Sequence, residues 1–275
     1  MPVHYLTLQL VASHMRFLAF FLFISWSSLS HATTFMTLCY EDKNIPPFFL
    51  GSGFEVPNYR PGATIEILRG LENKVRNVKF KFVRKPWQRC LKEVQKNKVD
   101  AVVASYRAER STFLNFPINE LGKVDETLAI SMLGTCLVGK QGLGQDVANN
   151  NFPISLAVPR GYAVLKSLQQ DLYRVIQTDS QDDAYQLVLK GLVDGALGLC
   201  QIYDEQISGF PYSDLLEPVF PPVDISYGYL ALSKDFLKQN PEVSRALWEG
   251  LGAMPLHEYY LDYVNNPVNH KIPRY

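Results

Sequence analysis

Short apolar runs of strand length alternate with segments of helical periodicity, and this alternation limits the folds open to the chain. Phe35–Tyr40 reads as a strand, and Glu41–Tyr59, rich in Pro, Gly and Asn, reads as a loop. Ala63–Val75 carries Ile65, Leu68, Leu71 and Val75 at the spacing of one helix face, so a helix is expected there. Val78–Val83 alternates apolar and basic residues, as an edge or half-buried strand does. Pro86 opens a second helix through Lys96, since proline suits a first helical turn. Val99–Ala104 follows as a short apolar strand. The order β-α-β-α-β is that of an open α/β sheet.

The same logic recurs less cleanly further along. Thr127–Gly139 reads as a long extended segment. Ile154–Val158 reads as a strand, followed by Pro159-Arg160-Gly161 and a helix through Asp171. Tyr173–Gln177 and Gly195–Leu199 read as strands around a helix at Ser180–Lys190. Asp224–Ser233 is a further extended segment, and Pro241–Leu251 and His257–Val264 are helical. Two α/β lobes of similar build therefore fit the chain, and no short tandem repeat is present.

Hydrophobic residues make up 47% of the 275 and charged residues 20%, enough apolar material for a packed core. Lys+Arg and Asp+Glu both count 27, which removes the cationic excess that nucleic-acid or acidic-membrane binding requires. At the N-terminus, Arg16 precedes the apolar run Phe17–Ile24, and Ser30-His31-Ala32 places small residues at its first and third positions. That is the layout of a secretory signal peptide, with cleavage expected near Ala32 and residues 1–32 removed. The run is shorter than the roughly 20 residues a membrane-spanning helix needs. Met15 is an alternative start to Met1.

Export makes disulfides possible. Cys39, Cys90, Cys136 and Cys200 allow three pairings, and sequence alone does not choose among them. No Cys-x-x-Cys occurs, so neither a zinc site nor a redox pair is indicated, and no metal or cofactor is expected.

Three stretches carry the functional signal. The first is Lys85-Pro86-Trp87-Gln88-Arg89-Cys90-Leu91, followed by Val99-Asp100-Ala101. The second is Ser105-Tyr106-Arg107-Ala108-Glu109-Arg110, with Phe116-Pro117 after it. The third is Gly191-Leu192-Val193-Asp194-Gly195-Ala196, ahead of a strand. Together with the N-terminal signal, they make the chain resemble the bacterial family 3 extracellular solute-binding proteins, the periplasmic receptors of polar amino acid ABC transporters. The resemblance implies the two-lobed periplasmic binding protein fold, type II-like, in which two open α/β sheets are joined by two extended hinge crossovers. It implies a first lobe of residues 33–131 and 229–275 and a second of 132–228. The crossovers would lie around Ser131–Gly134 and Ser226–Leu230. On that division Cys39 pairs with Cys90 and Cys136 with Cys200, because a bridge between lobes would block closure.

The resemblance also assigns a cleft. Arg110 is the first candidate to grip a ligand carboxylate, because a guanidinium presents a planar fork of donors; Arg107 is the second. Ser105 stands at a strand end facing the crevice, where open α/β sheets bind ligands. Trp87 offers an aromatic face, Tyr40 an aromatic wall, and Glu41 a carboxylate for a ligand amine. Gly161 and Tyr162 open a helix in the second lobe, where free N–H groups suit a carboxylate. One departure stands out: Gly195–Gln201 contains no acid where amino acid receptors of the family carry an Asp, and Asp204 is the first to follow. This points away from a standard α-amino acid and toward a carboxylate lacking an amine, a modified amino acid or a short peptide.

The implied function is a periplasmic, monomeric receptor that hands a small carboxylate-bearing solute to an inner-membrane ABC permease, without catalysis. Two alternatives follow from the same cleft. One is an enzyme of the cyclohexadienyl dehydratase kind, with Glu41 or Glu126 as acid/base group. The other is an orphan sensor that docks on a signalling partner.

Overall fold

A computed structural model describes residues 33–162, 168, 170–207 and 212–267; the expected signal peptide, residues 1–32, lies outside them. Strand β1 (Thr34–Glu41) pairs in parallel with β2 (Val78–Lys85) and with β3 (Ala101–Ser105). Helix α1 (Ala63–Lys74) connects β1 to β2, and α2 (Trp87–Gln95) connects β2 to β3. Strand periodicity decides which side chains meet each layer. Met36, Leu38 and Tyr40 face a core shared with Ile65, Leu68 and Leu71 of α1. Cys39 points the other way, to Cys90 and Val94 of α2. Helices α7 (Pro241–Gly252) and α8 (Leu256–Asn265) add Leu247, Leu251, Tyr260 and Tyr263 to the first core.

The second half repeats the pattern. Strand β6 (Ile154–Pro159) pairs in parallel with β7 (Tyr173–Thr178) and with β8 (Gly195–Ile202). Helix α5 (Gln181–Leu189) buries Ala184, Tyr185 and Val188 against Val138, Ala157 and Ala196. Two long antiparallel strands stand between the halves. Strand β5 (Ser131–Gly139) pairs with β8, and β10 (Glu217–Ser233) pairs with β5 along its first part and with β3 from Gly228 onward. The strand order is β2-β1-β3-β10-β5-β8-β6-β7, with the short β4 (Leu114–Asn115) paired to β10 and β9 (Glu205–Gln206) to β8.

The two halves share one structural device. The Asp100 carboxylate accepts from the Thr37 amide at 2.7 Å, and the Asp194 carboxylate accepts from the Ser155 amide at 2.7 Å and the Ser155 hydroxyl at 2.5 Å. The aspartates of Val99-Asp100-Ala101 and Val193-Asp194-Gly195 therefore fasten the start of one strand to the neighbouring parallel strand. Their role is architectural, which places two parts of the recognisable sequence pattern outside ligand contact.

Disulfides join Cys39 to Cys90 and Cys136 to Cys200, the pairing that the lobe division implied. The first fastens α2 to β1. The second fastens β5 to β8 at a register shift, with Thr135 opposite Leu199 and Gly134 opposite Gln201, so Cys200 is the extra residue of a bulge.

Several expected boundaries move. Strand β10 begins at Glu217 rather than Asp224, because Pro218 pairs with Val138 although proline cannot donate to the ladder. Glu126–Leu128 forms a 3₁₀ turn where an extended segment was expected, capped by the Asp125 carboxylate on the Thr127 amide. Short helices at α3 (Ala108–Ser111), α4 (Leu143–Ala148) and α6 (Lys234–Gln239) were not anticipated. Of the helix expected from Arg160 to Asp171, residues 163–167 and 169 lie outside the described set, and Gln170–Leu172 is a 3₁₀ turn.

Candidate functional site

The carboxyl ends of β1, β3, β6 and β7 converge on a cavity of about 260 Å³. Open α/β sheets bind ligands at such strand ends. Asn44, Ile45, Pro46 and Phe48 line it from the loop after β1, and Ser105 and Arg107 from the end of β3. From the other half come Tyr162, Gln181, Asp182 and Tyr185, together with Leu197, Gly198 and Leu199 of β8. Leu133 and Thr135 of β5 and Asp224 and Ser226 of β10 form the floor.

Two further spaces adjoin it. One, about 170 Å³, shares Asn44, Ile45, Tyr162 and Gln181 and adds Glu41, Trp87, Arg160 and Asp179. The other, about 200 Å³, shares Ser105, Arg107, Asp224 and Ser226 and adds Glu126, Tyr227 and Tyr229. A larger space of about 350 Å³, under Met254, Leu256 and His257, meets this cleft only through Glu126 and Tyr227.

The loop after β1 is held in shape by Arg84, which is 2% exposed. Its guanidinium donates to the carbonyls of Glu41, Lys43, Gly51 and Glu55 at 2.7–3.3 Å and lies 5.3 Å over the Tyr40 ring. A buried cation is costly unless its donors are met, and here backbone carbonyls meet them. Gly62 then turns the loop into α1: its φ is +114°, and a Cβ there would lie 2.1 Å from the Phe48 carbonyl oxygen. Only glycine allows that approach.

The two arginines take different places. Arg110 donates to the Ser105 carbonyl at 3.0 Å and to the Ser105 hydroxyl at 3.1 Å, and lies 5.6 Å over Trp87. It is not among the residues lining the cleft spaces; it fixes the residue that is. Arg107 lines the central cavity, and its Nε is buried without a hydrogen-bond partner among the described residues. Burial lowers the Arg110 pKa, and the positive charge of Arg107 lowers it further, partly offset by Glu109. A buried guanidinium with a like charge nearby favours an anion beside it.

The remaining candidates separate in the same way. Ser105 and Tyr162 line the central cavity, and Glu41 and Trp87 the adjoining one. Burial, then the charge of Asp42, pushes the Glu41 carboxyl up to about 7, against the opposing Lys43 and Arg84. Burial raises the Tyr162 phenol, and the Glu41 charge adds to this. Gly161 has a φ of +80° and sits 3.1 Å, from an added Cβ, to the Gln88 amide nitrogen, so it lets the turn pass close to α2. Tyr40 is 1% exposed and belongs to the core, where Phe49 and Phe82 flank it; Met36 and Leu38 share its face of β1. It is not a cleft wall.

The two acids of the central cavity come from places the sequence pattern does not mark. Asp182 opens α5 and accepts from the Tyr212 hydroxyl. Asp224 stands opposite Thr135 on β10. Asp204, the nearest acid after β8, is exposed and lines none of these spaces. No group of His, Cys, Asp and Glu able to hold a metal occurs among the described residues, and no helix among them is long and apolar enough to cross a membrane.

No protein-family description matches the chain, and no curated protein matches it by sequence. Solved structures do match. The substrate-binding protein of an amino acid ABC transporter superposes with a TM-score of 0.59 at 13% identity, covering 84% of this chain and 99% of that one. The GluR0 ligand-binding core from Nostoc punctiforme, in complex with L-glutamate, gives 0.61 at 17% identity, covering 84% and 100%. The periplasmic VFT2 domain of Bordetella pertussis BvgS gives 0.59 at 15% identity, covering 84% and 91%. At these identities the likeness concerns the fold: the chain has the mixed α/β, two-lobed architecture of the periplasmic binding proteins.

Proposed function

We propose that this chain is an exported solute-binding protein that captures a small, carboxylate-bearing polar solute between its lobes and presents it to an inner-membrane ABC permease. The observation that carries this reading is Arg107. A guanidinium with a buried, unpartnered Nε lines a cavity fed by the ends of four strands, and an anionic ligand supplies the missing acceptor. The lobes are residues 33–131 with 229–275, and 132–228. Residues 1–32 direct export to the periplasm and are cut near Ala32. The similar structures, a substrate-binding protein and a ligand-binding core, support capture rather than turnover. The likeness to the BvgS periplasmic domain supports a second reading, in which the same capture is reported to a signalling partner.

A thermal-shift screen of the refolded chain against amino acids, organic acids, amines and short peptides tests capture. A ligand that binds only the native state raises the melting temperature. Turnover of prephenate or arogenate above background would contradict the non-enzymatic reading. A melting point unmoved by the whole panel would contradict capture itself.

A further inference from the structure

The equal totals of acidic and basic residues conceal an uneven distribution. Residues 74–98 hold ten of the 27 bases and a single acid, Glu93. Residues 132–228, by contrast, hold eleven acids and five bases. The fold gathers much of the first group at one end of a sheet. Strands β1, β2 and β3 are parallel, so their carboxyl ends meet the cleft and their amino ends lie away from it. Two turns feed those amino ends: Lys74-Val75-Arg76-Asn77 leads from α1 into β2, and Lys96-Asn97-Lys98 leads from α2 toward β3. Each turns on an asparagine of positive φ, +60° at Asn77 and +52° at Asn97. Each is also fastened to β1. The Thr34 amide donates to the Asn77 carbonyl at 2.7 Å, and the Asp100 amide to the Thr37 carbonyl at 2.8 Å.

Lys74, Arg76, Lys79, Lys96 and Lys98 are exposed on this face. Glu72 pairs with Lys79 at 3.0 Å, and the other four make no ion pair among the described residues. Phe35, 72% exposed, stands opposite Lys79 on β1. Asp235 is an acid at this end, its amide 3.4 Å from the Asn97 side-chain oxygen, and Lys234 and Lys238 share α6 with it. The matching turn of the second half, Lys190–Val193, carries one base.

We propose that this basic face docks the protein on an anionic lipid bilayer, with the cleft turned away from the lipid. The proposal goes beyond solute capture and does not depend on it. Three observations favour a bilayer over an acidic protein. Four of the five bases are lysines, point charges without fixed geometry, which suit a diffuse anionic surface, whereas placed carboxylates are matched by arginine forks. An exposed phenylalanine among lysines is the composition of an interfacial anchor. Strand β1 begins at Thr34 on this same face, ten residues after the apolar run Phe17–Ile24, so the chain enters the folded unit beside the bases. The acidic second half is repelled by the surface that attracts this face, which selects the end that approaches.

Thr34–Tyr275 forms one compact unit with its own cores, so the chain from Thr33 onward is the protein to test. The test is cosedimentation with vesicles of phosphatidylcholine alone, or of phosphatidylcholine mixed equally with phosphatidylglycerol. The expected result is binding to the mixed vesicles only, weakened as salt screens the charges. Each base near such a surface adds roughly a fivefold factor in affinity. The triple variant Arg76→Gln, Lys96→Gln, Lys98→Gln should therefore bind about a hundredfold more weakly. The triple variant Lys140→Gln, Arg174→Gln, Lys190→Gln makes the same change in charge at exposed sites of the second half and should bind nearly as the wild type does. Thermal melts of both variants separate a lost surface from a lost fold. Equal loss in the two variants would overturn the proposal, since net charge and not this face would then govern binding. So would the absence of binding to the mixed vesicles, or equal binding to both kinds. Retention on immobilised polyglutamate without vesicle binding would give the face to an acidic protein partner instead.

Discussion

Arg107 and Arg110 stand on the same loop yet meet different partners. Arg110 is engaged by Ser105, while the Arg107 Nε has no partner among the described residues. Replacing Arg107 with alanine should lower solute affinity about tenfold to a hundredfold, from the roughly 1.5–3 kcal/mol of a hydrogen bond to a charged group. Arg110→Ala should weaken binding only a few-fold, through a loosened Ser105, and titration calorimetry on both variants compares them. From sequence alone Arg110 ranks ahead of Arg107, because which of them Ser105 engages is not visible there; the contacts of Arg110 with Ser105 favour the reverse order. Arg84 is not among the sequence candidates, yet strand parity marks it. Val78, Phe80, Phe82 and Arg84 fall on one face of β2 by strand parity, and the apolar members of that face pack on the core. Removing its side chain leaves four partly buried carbonyls short of a donor. Arg84→Met should therefore cost roughly 3 kcal/mol in urea unfolding, as unsatisfied buried groups cost about 1–3 kcal/mol each and partly relax. Glu41 makes stability depend on pH. Its folded pKa, about 7, lies above the ordinary value of 4.5, so the folded state holds the proton more tightly than the unfolded state. That contribution is complete below pH 4.5 and is lost as pH rises through about 7. The loss is at most about 3 kcal/mol from a shift of this size. Urea midpoints across that window should fall for the wild type and stay flatter for Glu41→Gln.

Each disulfide strengthens one half of the molecule. Cys39–Cys90 closes 51 residues and Cys136–Cys200 closes 64, so each restricts the unfolded chain over a long loop. Replacing either pair with serine should lower unfolding free energy by about 2–4 kcal/mol, read from urea denaturation without reductant. Elements with strong local patterns were legible: α1 shows a clean apolar stripe, and β3 a short apolar run. Elements defined by distant partners were not. The first part of β10, Glu217–Val223, contains Pro218, Pro221 and Pro222 and lies outside the extended segment expected from Asp224. It is a strand because β5 lies alongside to supply and accept its hydrogen bonds, with a register shift between Val219 and Asp224. The short helix α4 carries too few turns to show a periodicity.

At the scale of the whole molecule, the alternation of strands and helices carried the fold, and the parallel roles of Asp100 and Asp194 explain why its two halves look alike in sequence. The cleft was only partly legible. Ser105 and Arg107 lie on one stretch, but Asp182 and Asp224 reach the cavity from elements whose neighbourhood is fixed by β5 and β10. These strands pair with each other at Ser131–Leu133 and Ser226–Gly228, where the chain passes between the halves. Ligand held by both halves should draw them together by bending there, and small-angle scattering should then record a smaller radius of gyration on saturation. The most direct test of the account is the thermal-shift screen of the refolded chain beside its Arg107→Ala variant. At a hundred times its dissociation constant, a ligand adds about 2.7 kcal/mol to native stability. For a chain of this size that is a rise of about 5–10 °C. The expected result is such a rise for a carboxylate-bearing solute, cut to about half or less in the variant. A rise that survives Arg107→Ala unchanged, or none with any solute, would contradict it.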